Sequence, residues 1–244
     1  MSLAAARRAI RPLLDQTAAA DATAVYYAFH HPENRVQLIP YPADAERALG
    51  YLALARTGID LFRSLLTLRL PEHPEQAAEM FYDNLAPGTS LFIQAPASYG
   101  PLLSAFFEIQ REQQLHLFRL DSSRFQPEVN VLVTRSDTPD GLPRFIVRPT
   151  SGGSRGDVAG SATLNWQSPR FADIAVYTEP QQRGRGWGRN VVAALANYLL
   201  QTGRTPLYHV ESTNEASLQL ARSVGFVNTL SDSLWLEATL LPQP

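Results

Sequence analysis

Apolar and polar positions along this chain repeat with two periods, close to 3.6 and close to 2, and the two alternate in a regular order. Residues 1–16 place Ile10, Leu13 and Leu14 where a short amphipathic helix needs them. Residues 18–29 are alanine-rich with Val25, Tyr26 and Phe29 at helical spacing, and His30, His31 and Pro32 end that run. Residues 35–41 alternate through Val36 and Leu38, with Ile39 also apolar, which predicts a strand. Strands are also expected over 49–55, where Gly50 and Tyr51 suit a pleated surface better than a helix, and over 61–70. Pro71 and Pro74 break the pattern. Ala78, Phe81 and Leu85 then predict a helix over 75–85, followed by a strand over 90–94, a helix over 98–110 and a strand over 114–120.

The texture changes at 121–127, which is polar and ends in proline, and a domain boundary is expected there, dividing the chain into 1–125 and 126–244. Beyond it, strands over 129–134 and 144–148 flank Asp137-Thr138-Pro139-Asp140-Gly141, a turn sequence by virtue of its proline and glycine. Residues 150–157 are rich in glycine and serine and are expected to be mobile. Strands over 160–165 and 172–178, a helix over 187–201, a strand over 207–211, a helix over 215–223 and a closing pair of strands over 225–240 complete the pattern. The order strand, proline, helix, strand, helix occurs twice, over 66–109 and over 174–224, which suggests a structural repeat. The predicted class is α/β with a mixed central sheet.

The second copy differs from the first in one place. Between its first strand and helix lies Glu179-Pro180-Gln181-Gln182-Arg183-Gly184-Arg185-Gly186-Trp187-Gly188-Arg189, where the first copy has the acidic, glycine-free Pro71-Glu72-His73-Pro74-Glu75-Gln76. The first amides of a helix lack intrahelical acceptors and sit at the positive end of its dipole, so a glycine-rich approach admits an anion. Arg183, Arg185 and Arg189 add charge-assisted donors. The loop is neither a P-loop, which needs Lys and then Ser or Thr where Arg189 and Asn190 stand, nor a dinucleotide fingerprint, whose glycine spacing differs.

Composition narrows the chemistry. Of 244 residues 45% are hydrophobic, enough for a sizeable core, and the net charge of −2 offers no general attraction to nucleic acid or an anionic membrane. The chain has no cysteine, which removes disulfides, thiolate nucleophiles and Cys-ligated metals. The five histidines show no ligand spacing, so no metal is expected. The N-terminal arginines precede no long apolar run, and no stretch of about 18 apolar residues occurs. A cytoplasmic protein is the expectation, as a monomer or homodimer without nucleic-acid or membrane partners.

Arg183-Gly184-Arg185-Gly186-Trp187-Gly188, preceded by Thr178-Glu179-Pro180, resembles the acetyl-CoA motif of the GNAT (N-acetyltransferase) superfamily. Asn214-Glu215-Ala216-Ser217 and Gly225-Phe226, after Pro206-Leu207-Tyr208-His209-Val210, are similar to the Asn-x-x-Ser and Gly-Phe signature of the same family. The likeness covers about residues 160–226 and extends to glycine N-acyltransferase-like proteins, which carry two GNAT-like halves. It implies a degenerate N-terminal GNAT-like half and a C-terminal GNAT half that binds acyl-CoA, with acetyl-CoA as the acyl-donor cosubstrate. It further implies that the amides of 185–189 hold the pyrophosphate, Arg183 to Arg189 line the seat, and pantetheine lies along Val176, Tyr177 and Thr178 between two diverging strands. Asn214 and Ser217 then face the pantetheine and thiol; their alternative role is helix capping.

The implied activity is acyl transfer from the thioester to an amine of a small molecule or peptide. An amine with a pKa near 10 needs a base. Asp173, at the head of the strand over 172–178, is the first candidate, with Glu211 and His209 on the neighbouring strand behind it. Many GNAT enzymes carry a tyrosine four residues before the Gly-Phe pair that protonates the leaving thiolate. Ala221 stands there in this chain, which leaves Tyr177, Tyr208, water or unassisted departure. The competing expectation is a catalytically inactive acyl-CoA sensor or scaffold.

Overall fold

In the computed structural model of the protein, residues 1–127, 130, 132–139, 141–148 and 158–243 are described. The alternation in the first third of the chain builds sheet. β1 (Val36–Tyr41), β2 (Gly50–Ala55) and β3 (Ser64–Arg69) pair antiparallel in sequence order, Val36 opposite Ala55 and Leu52 opposite Leu68. From β3 the chain passes through α3 (Pro74–Tyr82) to β4 (Ser90–Pro96), parallel to β3, and then to α4 (Gly100–Phe106). β2 is covered on both faces. Tyr51 and Ala53 pack with Ala6, Ala9 and Ile10 of α1 (Leu3–Ile10) and Val25 of α2 (Ala22–Val25). Leu52 packs with Met80 and Phe81 of α3 and Leu103 of α4. Two-sided burial explains why residues 50–55 read as an unbroken apolar run instead of alternating.

In the second half of the chain β6 (Val133–Arg135), β7 (Phe145–Val147), β8 (Gly160–Gln167) and β9 (Phe171–Thr178) pair antiparallel in sequence order. α5 (Trp187–Gln201) carries the chain to β10 (Thr205–Glu211), which is parallel to β9, and α6 (Glu215–Val224) follows. Val191, Val192, Leu195 and Leu199 of α5 and Leu218 and Ala221 of α6 close over Ala162, Leu164, Ile174, Tyr208 and Val210 in one buried cluster. Each large aliphatic side chain so buried contributes about 1.5–3 kcal/mol. By strand alternation, Asp173 and His209 stand on the face away from that cluster.

Two compact units result, residues 1–115 with 231–244 and residues 116–230. β5 (Phe107–Leu120) and β11 (Phe226–Leu240) each run from one unit into the other. The end of β11 pairs antiparallel with β4, Leu236 opposite Ile93, so the N-terminal unit is completed by the last strand of the chain. The division therefore falls at 115/116 and again at 230/231, where the sequence suggested a single boundary within 121–127. Only long-range strand pairing determines this, and no local texture marks it.

Three element assignments differ from the sequence pattern. The helix expected over 98–110 ends at Phe106, and 107–120 is one strand. Glu108-Ile109-Gln110-Arg111-Glu112-Gln113-Gln114 is made mostly of good helix formers, but it lies within a strand, and pairing overrides propensity. The closing pair of strands is the single strand β11, with Leu230 at φ 61° as its one left-handed residue. The helix expected over 18–29 is broken into a 3₁₀ turn, α2 and a π turn over Tyr26–His30, closed by the His31 amide donating to the Tyr26 carbonyl at 2.8 Å. The repeated order survives as β3-α3-β4-α4 and β9-α5-β10-α6. Residues 150–157, read as mobile, and positions 129 and 131 of the first predicted hairpin strand lie outside the described residues.

Candidate acyl-CoA site

The loop after β9 leaves the start of α5 uncapped. Pro180–Gln182 form a 3₁₀ turn, and Gly184 (φ 76°) and Gly186 (φ 79°) then take left-handed conformations that a side chain would disfavour. Gly186 is the N-cap of α5 and has no side chain with which to cap it. The helical ladder starts with the Asn190 amide donating to the Gly186 carbonyl at 3.1 Å, so the amides of 187–189 precede it. No acidic residue occupies the first turn of α5. The corresponding helix of the other unit, α3, carries Glu75 in its first turn and Pro74 at its start. One helix end therefore keeps its positive potential for a ligand and the other is neutralised within the chain.

Beside this end, β9 and β10 separate. Their parallel pairing runs over Thr205↔Phe171, Pro206↔Ala172 and Leu207↔Asp173 and stops there. On its other edge β9 stays paired with β8 as far as Thr178, opposite Gly160. Ile174 to Thr178 therefore present a strand edge toward the gap. A cavity of about 370 Å³ opens there, lined by Val176, Tyr177, Thr178, Gln182, Arg183, Gly184, Gly186, Trp187, Gly188, Arg189, Asn214, Ala216, Ser217 and Leu220. Eleven of the twelve residues singled out for the acyl donor line it, and Arg185 does not. Gln182, from the turn before Arg183, also lines it, and the approach of α6 to α5 brings in Ala216 and Leu220.

Two buried polar atoms at this cavity, Gln182 Oε1 and Trp187 Nε1, lack protein partners. Buried polar atoms are nearly always hydrogen-bonded, so these fit a site whose partner is a ligand. Gly188 is close-packed: a Cβ there would lie 3.0 Å from Thr178 Oγ1 and 3.5 Å from Leu220. This close approach holds the first turn of α5 against β9 and α6. Asn214 caps α6, its Oδ1 accepting from the Ser217 amide at 3.1 Å, which leaves Nδ2 as the group a ligand can use. Asn214→Ala is expected to lower stability by about 1 kcal/mol through loss of the cap, and Asn214→Ser to restore most of it, as measured by urea unfolding. If acetyl-CoA affinity falls equally in both variants, the Asn214 side chain has a ligand role separate from capping.

A family model described as FR47-like protein matches residues 168–236, which span β9, the loop, α5, β10, α6 and the start of β11. A search of curated proteins gives no match. Among solved structures, a Drosophila protein superposes with a TM-score of 0.64 at 14% identity, covering 96% of this chain and 88% of that one. A GCN5-related N-acetyltransferase from Sphaerobacter thermophilus gives 0.58 at 13% identity over 100% and 95%. A tandem GNAT protein from the clavulanic acid biosynthesis pathway gives 0.54 at 14% over 99% and 94%. The chain has the tandem GNAT fold. At these identities the likeness concerns the fold, and the finer likeness to glycine N-acyltransferase-like proteins rests on the sequence alone.

Within the GNAT fold the three base candidates fall in different settings. Asp173 is buried, 3% exposed, at the last paired position before β9 and β10 separate. Its Oδ1 lies 2.8 Å from His209 Nδ1, and its Oδ2 accepts from Asn165 Nδ2 at 2.7 Å. Glu211 is half-buried two residues beyond His209. Ala221 is fully enclosed in the core cluster, with no ionisable group in its place. The Tyr208 hydroxyl instead reaches α6, where it hydrogen-bonds with Ser217. Burial pushes its pKa up, the Ser217 bond works against that shift and the nearby Asp173 charge works with it. Tyr177, half-exposed, donates its hydroxyl to Glu179 Oε2 at 2.8 Å, and that bond raises its pKa. Among the described residues no group of three or more His, Asp or Glu is placed to hold a metal, and no helix is long and apolar enough to cross a membrane.

Proposed function

We propose that the protein is an acyl-CoA-dependent N-acyltransferase, with acetyl-CoA as donor and an amine of a small molecule or peptide as acceptor. The observation that carries this reading is the juxtaposition of an uncapped, arginine-flanked helix end with a strand edge left open where β9 and β10 part. The amides of 187–189 and Arg183 and Arg189 bind the pyrophosphate, and Val176 to Thr178 pair with the amide-bearing pantetheine as an added strand would. The thioester then lies where the strands diverge, and backbone amides of β9 polarise its carbonyl. A deprotonated amine attacks the carbonyl carbon, the C–N bond forms, the C–S bond breaks, and the sulfur departs with the bonding pair and takes up a proton. Tyr208, held protonated by burial and joined to Ser217 at the cavity wall, is the donor that stands in for the tyrosine absent at Ala221.

Ala221 also supports a second reading, an acyl-CoA-binding sensor without turnover. One experiment separates the two. Acetyl-CoA is expected to raise the melting temperature, and incubation with a panel of amines is expected to release free thiol from at least one class. Stabilisation without thiol release across a broad panel favours the sensor, and the absence of both removes the site.

A further inference from the structure

We infer that His209 is the general base and that Asp173, although it heads the strand where a base was expected, is its positioning residue. The inference rests on the acyltransfer reading above and assigns roles within it.

The geometry divides the labour. Both oxygens of the Asp173 carboxylate are engaged, one with His209 Nδ1 at 2.8 Å and the other with Asn165 Nδ2 at 2.7 Å. The side chain is 4% exposed, against 12% for His209. A carboxylate so enclosed, with each oxygen already accepting from a neighbour, is less open to a substrate than the imidazole beside it. It does fix its neighbour, because a carboxylate oxygen only accepts and Nδ1 must therefore carry the hydrogen. Nε2 is then left as a bare acceptor, the form a general base needs. The same division, a buried carboxylate fixing the tautomer of an imidazole that does the proton transfer, recurs on unrelated folds.

The backbone is arranged to produce this pair. The β8–β9 register shifts between Leu164 and Trp166, so Asn165 is the extra residue of a bulge between two buried neighbours. Asn165 and Trp166 of β8 together stand opposite the single residue Asp173, and the Asn165 amide donates to its carboxylate from there. β9 and β10 hold together through Asp173↔Leu207 and no further, so Asp173 sits at the apex of the opening and His209 is two residues past it on the other arm. The imidazole is on the face away from α5 and α6, opposite the helices that carry the cofactor loop. An acceptor approaching from that face meets His209 before the thioester. Its ammonium gives one proton to Nε2, the freed nitrogen attacks, and the second nitrogen-bound proton lost on amide formation balances the thiolate as thiol. The imidazolium then returns its proton to solvent.

The test uses the full-length protein and the amine class that supports thiol release. His209→Gln is expected to lower kcat 10²–10⁴-fold, the range by which general-base catalysis accelerates reactions, with the Kd for acetyl-CoA within twofold of wild type. In His209→Ala, added imidazole is expected to restore part of the rate. Asp173→Asn is expected to lower kcat at least tenfold with the KM for acetyl-CoA little changed, and to abolish the deshielded His209 Nδ1 proton signal expected by NMR in the wild type. Retention of that signal in Asp173→Asn, or turnover by His209→Gln within threefold of wild type, overturns the assignment while leaving the acyltransfer reading intact. So does a loss of kcat confined to Glu211→Gln. A wild-type protein that binds acetyl-CoA and releases no thiol overturns both.

Discussion

Gly186→Leu is expected to lower acetyl-CoA affinity at least 100-fold while the protein stays folded. Gly186 has φ 79°, a conformation that costs a non-glycine residue about 1–2 kcal/mol. A Cβ there meets no protein atom within 4 Å, so the position is open on the side where a side chain would project. In the free protein the substitution therefore introduces backbone strain without overpacking, a modest fraction of total stability. Its effect on the ligand is larger, because residue 186 lines the cavity and starts the helix whose amides at 187–189 are to meet the pyrophosphate. Either leucine keeps the left-handed backbone and occupies the ligand's space, or the loop relaxes and turns the amides away. Isothermal titration with acetyl-CoA, with circular dichroism confirming the fold, measures the effect. Affinity within threefold of wild type would sink the assignment of the loop.

The second large effect is on stability. Gly225→Ala is expected to destabilise the unit formed by residues 116–230 by roughly 2–5 kcal/mol, the sum of left-handed strain and overpacking in a tight contact. Gly225 ends α6 at φ 105°, and a Cβ there would lie 3.0 Å from the carbonyl carbon and oxygen of Arg124 and 3.1 Å from Phe125 Cα. These are backbone atoms, and the Asp121 amide donates to the Gly225 carbonyl at 3.1 Å, so neither side gives way easily. Gly203→Ala serves as the control. Gly203 has φ 76° with nothing within 4 Å, so alanine there carries strain alone, about 1–2 kcal/mol. The difference between the two variants in urea unfolding isolates the overlap at Gly225, and equal losses would show that the contact is soft.

Gly225 shows how much of this protein was legible beforehand. The Gly-Phe pair was recognisable as a signature, and its glycine had a local reading as the left-handed end of a helix. That the same glycine admits the backbone of residues 124 and 125 was not legible, because those residues are about 100 positions away in the chain. The cofactor loop behaves likewise. Its glycines, arginines and absent acidic first turn are local facts, and local facts determine whether a helix end is positive and approachable. Leu220 and Ala216 joined the cavity only through the packing of α6 beside α5. The pairing of Asp173 with His209 was out of reach for the same reason: both were named as separate candidates, and only the parallel register of β9 and β10 brings them together.

The sequence by itself determined the element types over most of the chain, the repeated strand-helix order, and a glycine-led helix end with no acidic residue in its first turn. These follow from side-chain period, glycine and proline stereochemistry and local charge, all of which act over a few residues. The tertiary structure alone decided where β9 and β10 part, which carboxylate meets which imidazole, and that residues 233–239 pair with β4 and so complete the N-terminal unit. Strand pairing joins residues of any separation, so an alternating apolar pattern says that a strand will pair and does not say with which partner.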